Sequence, residues 1–412
     1  MSSGEYIATL DIGTSKVRVI VAEMTEGSPQ LVGVGSAVAR GTKQGAIIDI
    51  DQAVHSIREA VDHAERMVGI EISRVFVGIS GNHVSLQPSH GVVAVSNENR
   101  EIGSPDIERV LQAARVVALP PERAIIEVVP KQFIVDGLSG IRDPHGMIGV
   151  RLEVEAIIVT GAKTIMHNVL RCVEKASLSV AGIVLSPLAT SEVCLSEDEK
   201  NLGVVLADIG GGTTSLAIFQ QGHMVATAEL PIGGEYITND IAIGLRTQTE
   251  TAEKLKRKYG VAIVDQSSED VRFQVPTIGS NRETTVNQFQ LAHIIEPRVA
   301  EMFQLIRKEV EELGFSKEPA GGYVLTGGVM SIPHILDAAQ EHLGHAVRII
   351  TPEYIGVQDP SFTSGVGMVH YIYKRRMIRL MEKENNQQSK SKVKKGGPST
   401  FERMKSWFSE FI

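Results

Sequence analysis

Cysteine, tryptophan and long apolar runs are what this 412-residue chain has least of. Two cysteines, Cys172 and Cys194, have no metal-ligand spacing and cannot build a disulfide framework. Each suits a small core residue in a reducing compartment. Nowhere do about eighteen apolar residues follow one another, the length that crosses a bilayer as a helix, so any membrane contact is expected to be peripheral. Met1-Ser2-Ser3-Gly4-Glu5 leads straight into strand-like sequence, and no signal peptide is expected. Positive charge is in deficit: 41 Lys and Arg stand against 49 Asp and Glu, a net charge of −8. That balance disfavours non-specific nucleic-acid binding by the body of the protein. Hydrophobic residues at 42% and charged residues at 22% are those of a folded globular chain. The length leaves room for roughly two to four domains.

Glycine is plentiful, and its placement carries the chemistry. Val204-Val205-Leu206 leads into Asp208, then Gly210-Gly211-Gly212 and Thr213-Thr214, before alternation resumes at Leu216, Ile218 and Phe219. Three residues without Cβ let backbone N–H groups approach an anion closely. Asp208, at the strand end, is placed to hold a hydrated Mg²⁺ beside that anion. An ordinary hairpin turn would look much the same. What argues against it is a second copy, Asp11-Ile12-Gly13-Thr14-Ser15-Lys16, about 200 residues earlier. Two such turns imply two similar halves with a polyphosphate clamped between them. A third element, Tyr323 to Thr326 followed by Gly327-Gly328, offers the close backbone approach that a base or ribose needs.

Between these landmarks the pattern predicts a hairpin from Tyr6 to Ala22, a third strand over Leu31–Val38, and a helix capped by Asp51 and ending near Gly69. From about Val84 to Val159 the character changes. Strand-like pieces at Val92–Val95, Ile125–Val129, Gln132–Val135 and Arg151–Val159 surround a helix opened by Ser104-Pro105-Asp106, an inserted α+β subdomain serving interaction. A helix beginning at Thr160-Gly161 reaches Ala176, with short pieces at Ile183–Leu185 and Val193–Leu195. Ile232-Gly233-Gly234-Glu235 opens another helix. In the next, charged one, Glu253 and Lys256 share a face, as a solvated surface pair also would. Asp265 to Asn287 is strand-poor and polar, a long helix runs from Phe289 to about Leu313, and a last one reaches about Met381. A polar stretch, 382–399, then leads to Thr400–Ile412, where Phe401, Met404, Trp407, Phe408, Phe411 and Ile412 share one helical face.

Asp11-Ile12-Gly13-Thr14, Asp208 to Thr213 and Leu325-Thr326-Gly327-Gly328 resemble the phosphate-1, phosphate-2 and adenosine motifs of the actin, Hsp70 and sugar-kinase superfamily. The resemblance covers nearly all of residues 5 to 380. It implies an α/β, actin-like fold, a ribonuclease H-like duplication with two lobes and an ATPase architecture. It also implies ATP and Mg²⁺ as cofactors, with Asp11 and Asp208 holding the metal through water. The implied nucleotide contacts are Asp11, Gly13, Thr14, Ser15 and Lys16; Asp208, Gly210, Gly211, Gly212, Thr213 and Thr214; Gly233, Gly234 and Glu235; and Gly327 and Gly328. Glu253, Lys256 and Arg257 match the charged helix that contacts adenosine in Hsp70-like members. Within the superfamily the chain is most similar to the bacterial cell-division family FtsA, on the inserted subdomain, the Leu10 to Lys16 opening and the aromatic end.

That family implies subdomain 1A over 1–83, completed by 161–195 and the final helix 361–381. The inserted subdomain 1C spans 84–160, subdomain 2A takes 196–238 and 303–360, and 2B takes 239–302. A flexible linker over 382–399 joins the amphipathic helix 400–412. The implied role is to polymerise on the cytoplasmic face of the inner membrane at the division site and to tether filaments of the tubulin-like protein FtsZ there. The FtsZ C-terminal tail would dock on 2B, with Arg298, after Glu296-Pro297 at a helix start, as a contact. Other division proteins would bind the inserted subdomain.

Two further expectations concern chemistry. Hydrolysis needs a side chain that aligns the attacking water. Val159 to Leu170 offers Thr164, His167 and Asn168 but no Glu or Gln, so tight nucleotide binding with slow or absent turnover is expected. A thirteen-residue terminal helix is roughly 20 Å long, short of the ~30 Å hydrocarbon core, and would lie in the interface plane. Its own charges balance; Lys390, Lys392, Lys394 and Lys395 of the linker would supply the attraction to anionic lipid. A PilM-like cytoplasmic scaffold of a pilus machine is the competing reading, against which the aromatic tail argues. A small-molecule kinase would need a base for which no separate motif appears, and an Hsp70-type chaperone would need more chain after the body.

Overall fold

The computed structural model describes residues 5–25, 27–279, 283–316, 319–344 and 346–375. The expected polar linker and the amphipathic segment with Phe401, Met404, Trp407, Phe408 and Phe411 lie outside them, as does Met381.

In chain order the first elements are β1 (Tyr6–Ile12), β2 (Lys16–Met24), β3 (Pro29–Val38), a small ribbon of β4 (Thr42–Lys43) and β5 (Ala46–Ile47), α1 (Ile50–Val68) and β6 (Arg74–Ile79). Next come β7 (Ser85–Ala94), α2 (Ser104–Ala114), β8 (Arg123–Val135), β9 (Leu138–Ile141) and β10 (Arg151–Ala162). The chain continues through α3 (Lys163–Lys175), β11 (Ser179–Leu185), α4 (Ser186–Cys194) and α5 (Glu197–Leu202). The second half holds β12 (Val204–Ile209), β13 (Thr214–Gln220), β14 (His223–Leu230), α6 (Gly234–Gly244), α7 (Thr249–Tyr259), β15 (Arg272–Pro276) and β16 (Glu283–Asn287). It ends with α8 (Gln288–Glu312), β17 (Tyr323–Thr326), α9 (Ile335–Leu343), β18 (Val347–Ile349) and a helix over 363–375.

The duplication is visible in two five-stranded sheets. One has the order β3-β2-β1-β6-β11 and the other β14-β13-β12-β17-β18. In each, three consecutive strands pair antiparallel and two later strands add in parallel beside the first. Leu10, Val17 and Val19 bury one face of the first sheet with Ile57, Ala60 and Ala64 of α1. Val205, Ala207 and Ile209 do the same in the second with Ile295, Val299 and Phe303 of α8. The helix 363–375 packs on the other face of the first sheet through Val366 and Val369, against Ile20 and Ala22. Close approach is what its glycines permit. A Cβ on Gly365 would sit 2.7 Å from Ile20 Cδ1, and one on Gly367 2.6 Å from the Ala189 carbonyl of α4.

Residues up to Ser89, Val117–Lys131 and Ala156–Tyr371 form one compact unit, and His90–Val116 with Gln132–Glu155 form the described body of a second. The second is built on the sheet β7-β10-β8-β9 with α2. Two separate strands were expected where β8 runs unbroken through Pro130. β9 pairs with β8 beyond the proline, at Phe133 and Val135, so Pro130 interrupts no bond to β9.

Four boundaries differ from expectation. Asp49, not Asp51, caps α1: its carboxylate accepts from the Gln52 amide at 3.0 Å while its own backbone is extended. Asp49→Ala should cost about 1 kcal/mol, read as faster amide exchange in the first turn of α1, whereas Asp51→Ala should leave that turn protected. Thr160 and Gly161 belong to β10, and α3 starts only at Lys163. Val193 and Cys194 end α4 instead of forming a strand, because Pro187 at its first turn sets a helical start. Most of Asp265 to Asn287 is a hairpin. Phe273, Val275 and Val286 point into the core between polar neighbours, and Phe273 stacks on Tyr259 at 4.2 Å.

Candidate functional site

The site is built from the two hairpin turns, β1–β2 and β12–β13, both within the larger unit. Their tips touch. A Cβ on Gly211 would lie 1.7 Å from Ser15 Oγ and 2.7 Å from Ser15 Cβ, and one on Gly212 would lie 2.4 Å from Thr14 Cγ2. Ser15 Oγ donates to Glu235 Oε1 at 2.5 Å, tying the first turn to the start of α6.

The hydrogen bonding of the turns is one-sided. In the first, the carbonyls of Gly13 and Thr14 accept from Thr42 Oγ1, at 3.3 and 3.1 Å, and that of Ser15 from the Ala39 amide. In the second, the carbonyls of Gly210 and Gly211 accept from the amides of Gly234 and Glu235, at 2.9 and 2.8 Å. Among the described residues the amides of Thr14, Ser15, Gly211 and Gly212 make no such bond. Two apposed turns with carbonyls tied back and amides unspent form a receptacle for an anion.

Asp11 and Asp208 stand at the base of the turns. Burial, partly offset by Arg18, raises the Asp11 carboxyl above the usual range. Asp208 is pushed up to about 7, first by burial and then by the charges of Asp11 and Glu229. Carboxylates that repel one another in a desolvated site are what a divalent cation would relieve. Among the described residues no three His, Cys, Asp or Glu side chains are grouped to ligate one ion directly. A cation that keeps its water shell, as Mg²⁺ does, fits this arrangement.

The charged helix α7 closes the other side. Glu253 pairs with Lys256 Nζ and with Arg257 Nε, each at 2.6 Å, and accepts from Thr238 Oγ1 at 2.6 Å. Lys256 Nζ also donates to the Gly234 carbonyl at 2.9 Å. Lys16 is half-buried, and burial together with the charges of Arg257 and Arg18 lowers its ammonium.

Two family models match: "Cell division protein FtsA" over residues 205–367 and "SHS2 domain inserted in FTSA" over 81–160. The cell division protein FtsA of Bacillus subtilis (strain 168) is 50% identical across 92% of this chain and 86% of its own. The chain belongs to the FtsA family. It is a cell-division protein of actin-like fold. Among solved structures, a PilM–PilN type IV pilus biogenesis complex matches with a TM-score of 0.59 at 18% identity, covering 88% of this chain and 97% of that one. MreB5 of Spiroplasma citri bound to ADP matches at 0.54 and 14%, covering 92% and 98%. Both show the shared fold.

Within this FtsA-family chain the expected site residues fall into groups. Asp11 to Lys16, Asp208 to Thr214 and Gly233 to Glu235 meet at the two turns, and Glu253, Lys256 and Arg257 join them through Gly234. Gly233 is needed for packing, since a Cβ there would lie 2.4 Å from the Gly211 carbonyl. Gly327 has φ +96°, and its Cβ would meet the Ile209 carbonyl at 2.4 Å and Asp208 Oδ1 at 2.5 Å, so the neighbouring strand demands this glycine. Gly328 is open, with only Ser361 Cβ at 3.6 Å.

Arg298 is not at a helix start. It sits in the middle of α8, which runs through Pro297. Nor is it a free surface cation. Its guanidinium makes a forked pair with Asp240 at 2.6 and 3.1 Å and a further bond to Glu301, over the ring of Tyr236. Sequence reading missed the β4–β5 ribbon, whose Thr42 and Gly45 hold the first turn, and it missed Arg18, Ser215, Glu229 and Thr238. The signal for Ser215 and Glu229 was register: each stands opposite its neighbour in a row that begins at Asp208.

Proposed function

We propose that this FtsA-family protein binds ATP with Mg²⁺ between the two apposed turns and uses the nucleotide as a clamp for assembly. The observation that carries the reading is the set of unspent amides at Thr14, Ser15, Gly211 and Gly212, on two turns whose tips touch and which follow Asp11 and Asp208. Thr213 and Lys16 would complete the phosphate cradle, and Glu253, Lys256, Arg257, Gly327 and Gly328 the adenosine side. When bound, the cation supplies charge neutralisation between phosphate and carboxylates. The relative solved with ADP supports the ligand class. Turnover is slow or absent, since the stretch from the end of β10 into α3 carries Thr164, His167 and Asn168 but neither Glu nor Gln to align a water.

Assembly then couples to the membrane. Residues 400–412, with Phe401, Met404, Trp407, Phe408 and Phe411 on one face, would insert at the cytoplasmic surface of the inner membrane. No described helix is long and apolar enough to cross it. One such helix anchors reversibly, and filament copies bind together through effective concentration. The FtsZ C-terminal tail would dock on the part formed by 239–302, where Arg298 would act as half of its pair with Asp240. Other division proteins would take the inserted SHS2 unit.

The test is co-sedimentation of the full chain and of a chain ending at Ser399 with anionic liposomes and FtsZ, with and without ATP. The full chain should carry FtsZ to the liposomes and do so better with ATP, while the shortened chain stays in solution. Liposome binding by the shortened chain, or phosphate release of several per second, would overturn the reading.

A further inference from the structure

The two halves are alike in backbone and unlike in charge. In the first sheet Asp11 stands opposite Arg18, which stands opposite Ser36. In the second, Asp208 stands opposite Ser215, which stands opposite Glu229. Directly paired residues project from the same face of a sheet. Each half therefore presents a row beginning with its site aspartate: carboxylate, guanidinium and hydroxyl in one, carboxylate, hydroxyl and carboxylate in the other.

Glu229 is 7% exposed. Its Oε2 accepts from Ser215 Oγ at 2.6 Å and its Oε1 is buried without a partner in hydrogen-bonding geometry; burial raises the carboxyl, partly offset by the hydroxyls of Ser215 and Thr213. A carboxylate oxygen left so is costly unless a ligand or its water meets it. Its charge reaches the site, being among those that lift Asp208. Arg18 is the cation there. It lies over the Phe362 ring at 5.1 Å, and its charge lowers both Asp11 and Asp208. Lys16, whose ammonium Arg18 also lowers, feels the charges of Arg257, Glu59 and Glu253 and neither site aspartate. Burial raises all three carboxyls; fully ionised against one guanidinium they would carry two negative charges, which one divalent cation would match.

We propose that Glu229, held by Ser215, is a further carboxylate of the cation site, so that the hydrated divalent cation is held mainly from the second half, by Asp208 and Glu229, while Arg18 neutralises Asp11. The proposal rests on the nucleotide reading above and says which half keeps the metal. Oxygen donors from carboxylates and hydroxyls, with no thiol or imidazole among them, select Mg²⁺ or Mn²⁺.

Two measurements on the full chain test it: ADP affinity by calorimetry as free Mg²⁺ is varied, and Mn²⁺ binding without nucleotide by electron paramagnetic resonance. Glu229→Gln should raise the Mg²⁺ half-saturation about tenfold and weaken Mn²⁺ binding alike, while Mg²⁺-free ADP affinity does not fall. Glu229→Asp, which keeps the charge, should stay near wild type, and Asp11→Asn should shift the metal dependence less than Glu229→Gln does. A wild-type metal dependence in Glu229→Gln, equal losses in the Gln and Asp variants, or a larger loss in Asp11→Asn would each overturn the proposal. Should Glu229→Gln not fold, Ser215→Ala replaces it. A rise in half-saturation there supports the assignment, and no rise overturns it. If the wild type binds no ADP, the nucleotide reading fails by itself, and the Mn²⁺ arm still decides the role of Glu229.

Discussion

Replacing Gly211 by alanine should weaken nucleotide binding by roughly a hundredfold, the scale on which a misplacement of about 1 Å is felt. The added methyl would lie 1.7 Å from Ser15 Oγ. Rotating the serine away would break its 2.5 Å bond to Glu235 and would still leave Ser15 Cβ at 2.7 Å. The two turns must therefore part, and amides that face one anion from opposite sides would no longer reach it together. Gly211 is needed for closeness, not for a special backbone angle, because its φ lies outside the left-handed region. Gly103→Ala, outside the site, is the control: its φ is −115° and its Cβ meets nothing nearer than Pro105 Cδ at 3.4 Å, so binding should fall less than threefold, an order-of-magnitude bound for a position without steric conflict. Calorimetric titration with ADP and Mg²⁺ on both variants checks the pair. Comparable affinities for Gly211→Ala and wild type would mean that the turns do not need to touch.

The same contrast explains which parts of the site could be read before the fold was known. Asp11 and Asp208 were legible because each ends an apolar strand and is followed at once by glycine, a local pattern with a local cause. The duplication was legible because that pattern occurs twice. Arg18, Ser215 and Glu229 were not, since their meaning depends on which strand residues stand opposite one another, and register is set by pairing across the sheet. Boundary errors have a similar origin. Asp51 and Asp49 are both competent caps by composition, and only the extended backbone of Asp49 with its bond to Gln52 decides between them. The β15–β16 hairpin was hidden because Phe273, Val275 and Val286 are three apolar residues among many polar ones, and alternation that short is easily taken for loop. Arg298 carried a charge pattern that invited a docking role. The partner that occupies it, Asp240, is 58 positions away, beyond the reach of any helical spacing rule.

Neutralising Glu253 should loosen the second turn from behind, and do so in a way that depends on pH. Burial alone would raise this carboxyl, but Lys256, Thr238 and Arg257 together bring it down to about 2. A group depressed on folding contributes stability above its unfolded value, near 4.5, and loses it as pH falls toward its folded value. The window is therefore about pH 5 to 2. The full shift would be worth about 3.4 kcal/mol; with a third of the Glu253 side chain exposed, about 2 kcal/mol is the fair expectation. In Glu253→Gln the Lys256 ammonium, only 11% exposed, is left without its counter-charge. That ammonium holds the Gly234 carbonyl, and the Gly234 amide holds the Gly210 carbonyl of the phosphate turn. Hydrogen exchange should accordingly be about 30-fold faster in α7 and at the start of α6 in the variant at pH 7, with the difference narrowing below about pH 5 and closing near pH 2. ADP affinity should fall in the same variant, although Glu253 touches neither turn directly. Equal protection at pH 7, or a difference that does not change with pH, would show that α7 is held by packing alone and that the path from Glu253 through Lys256 and Gly234 to Gly210 carries no load.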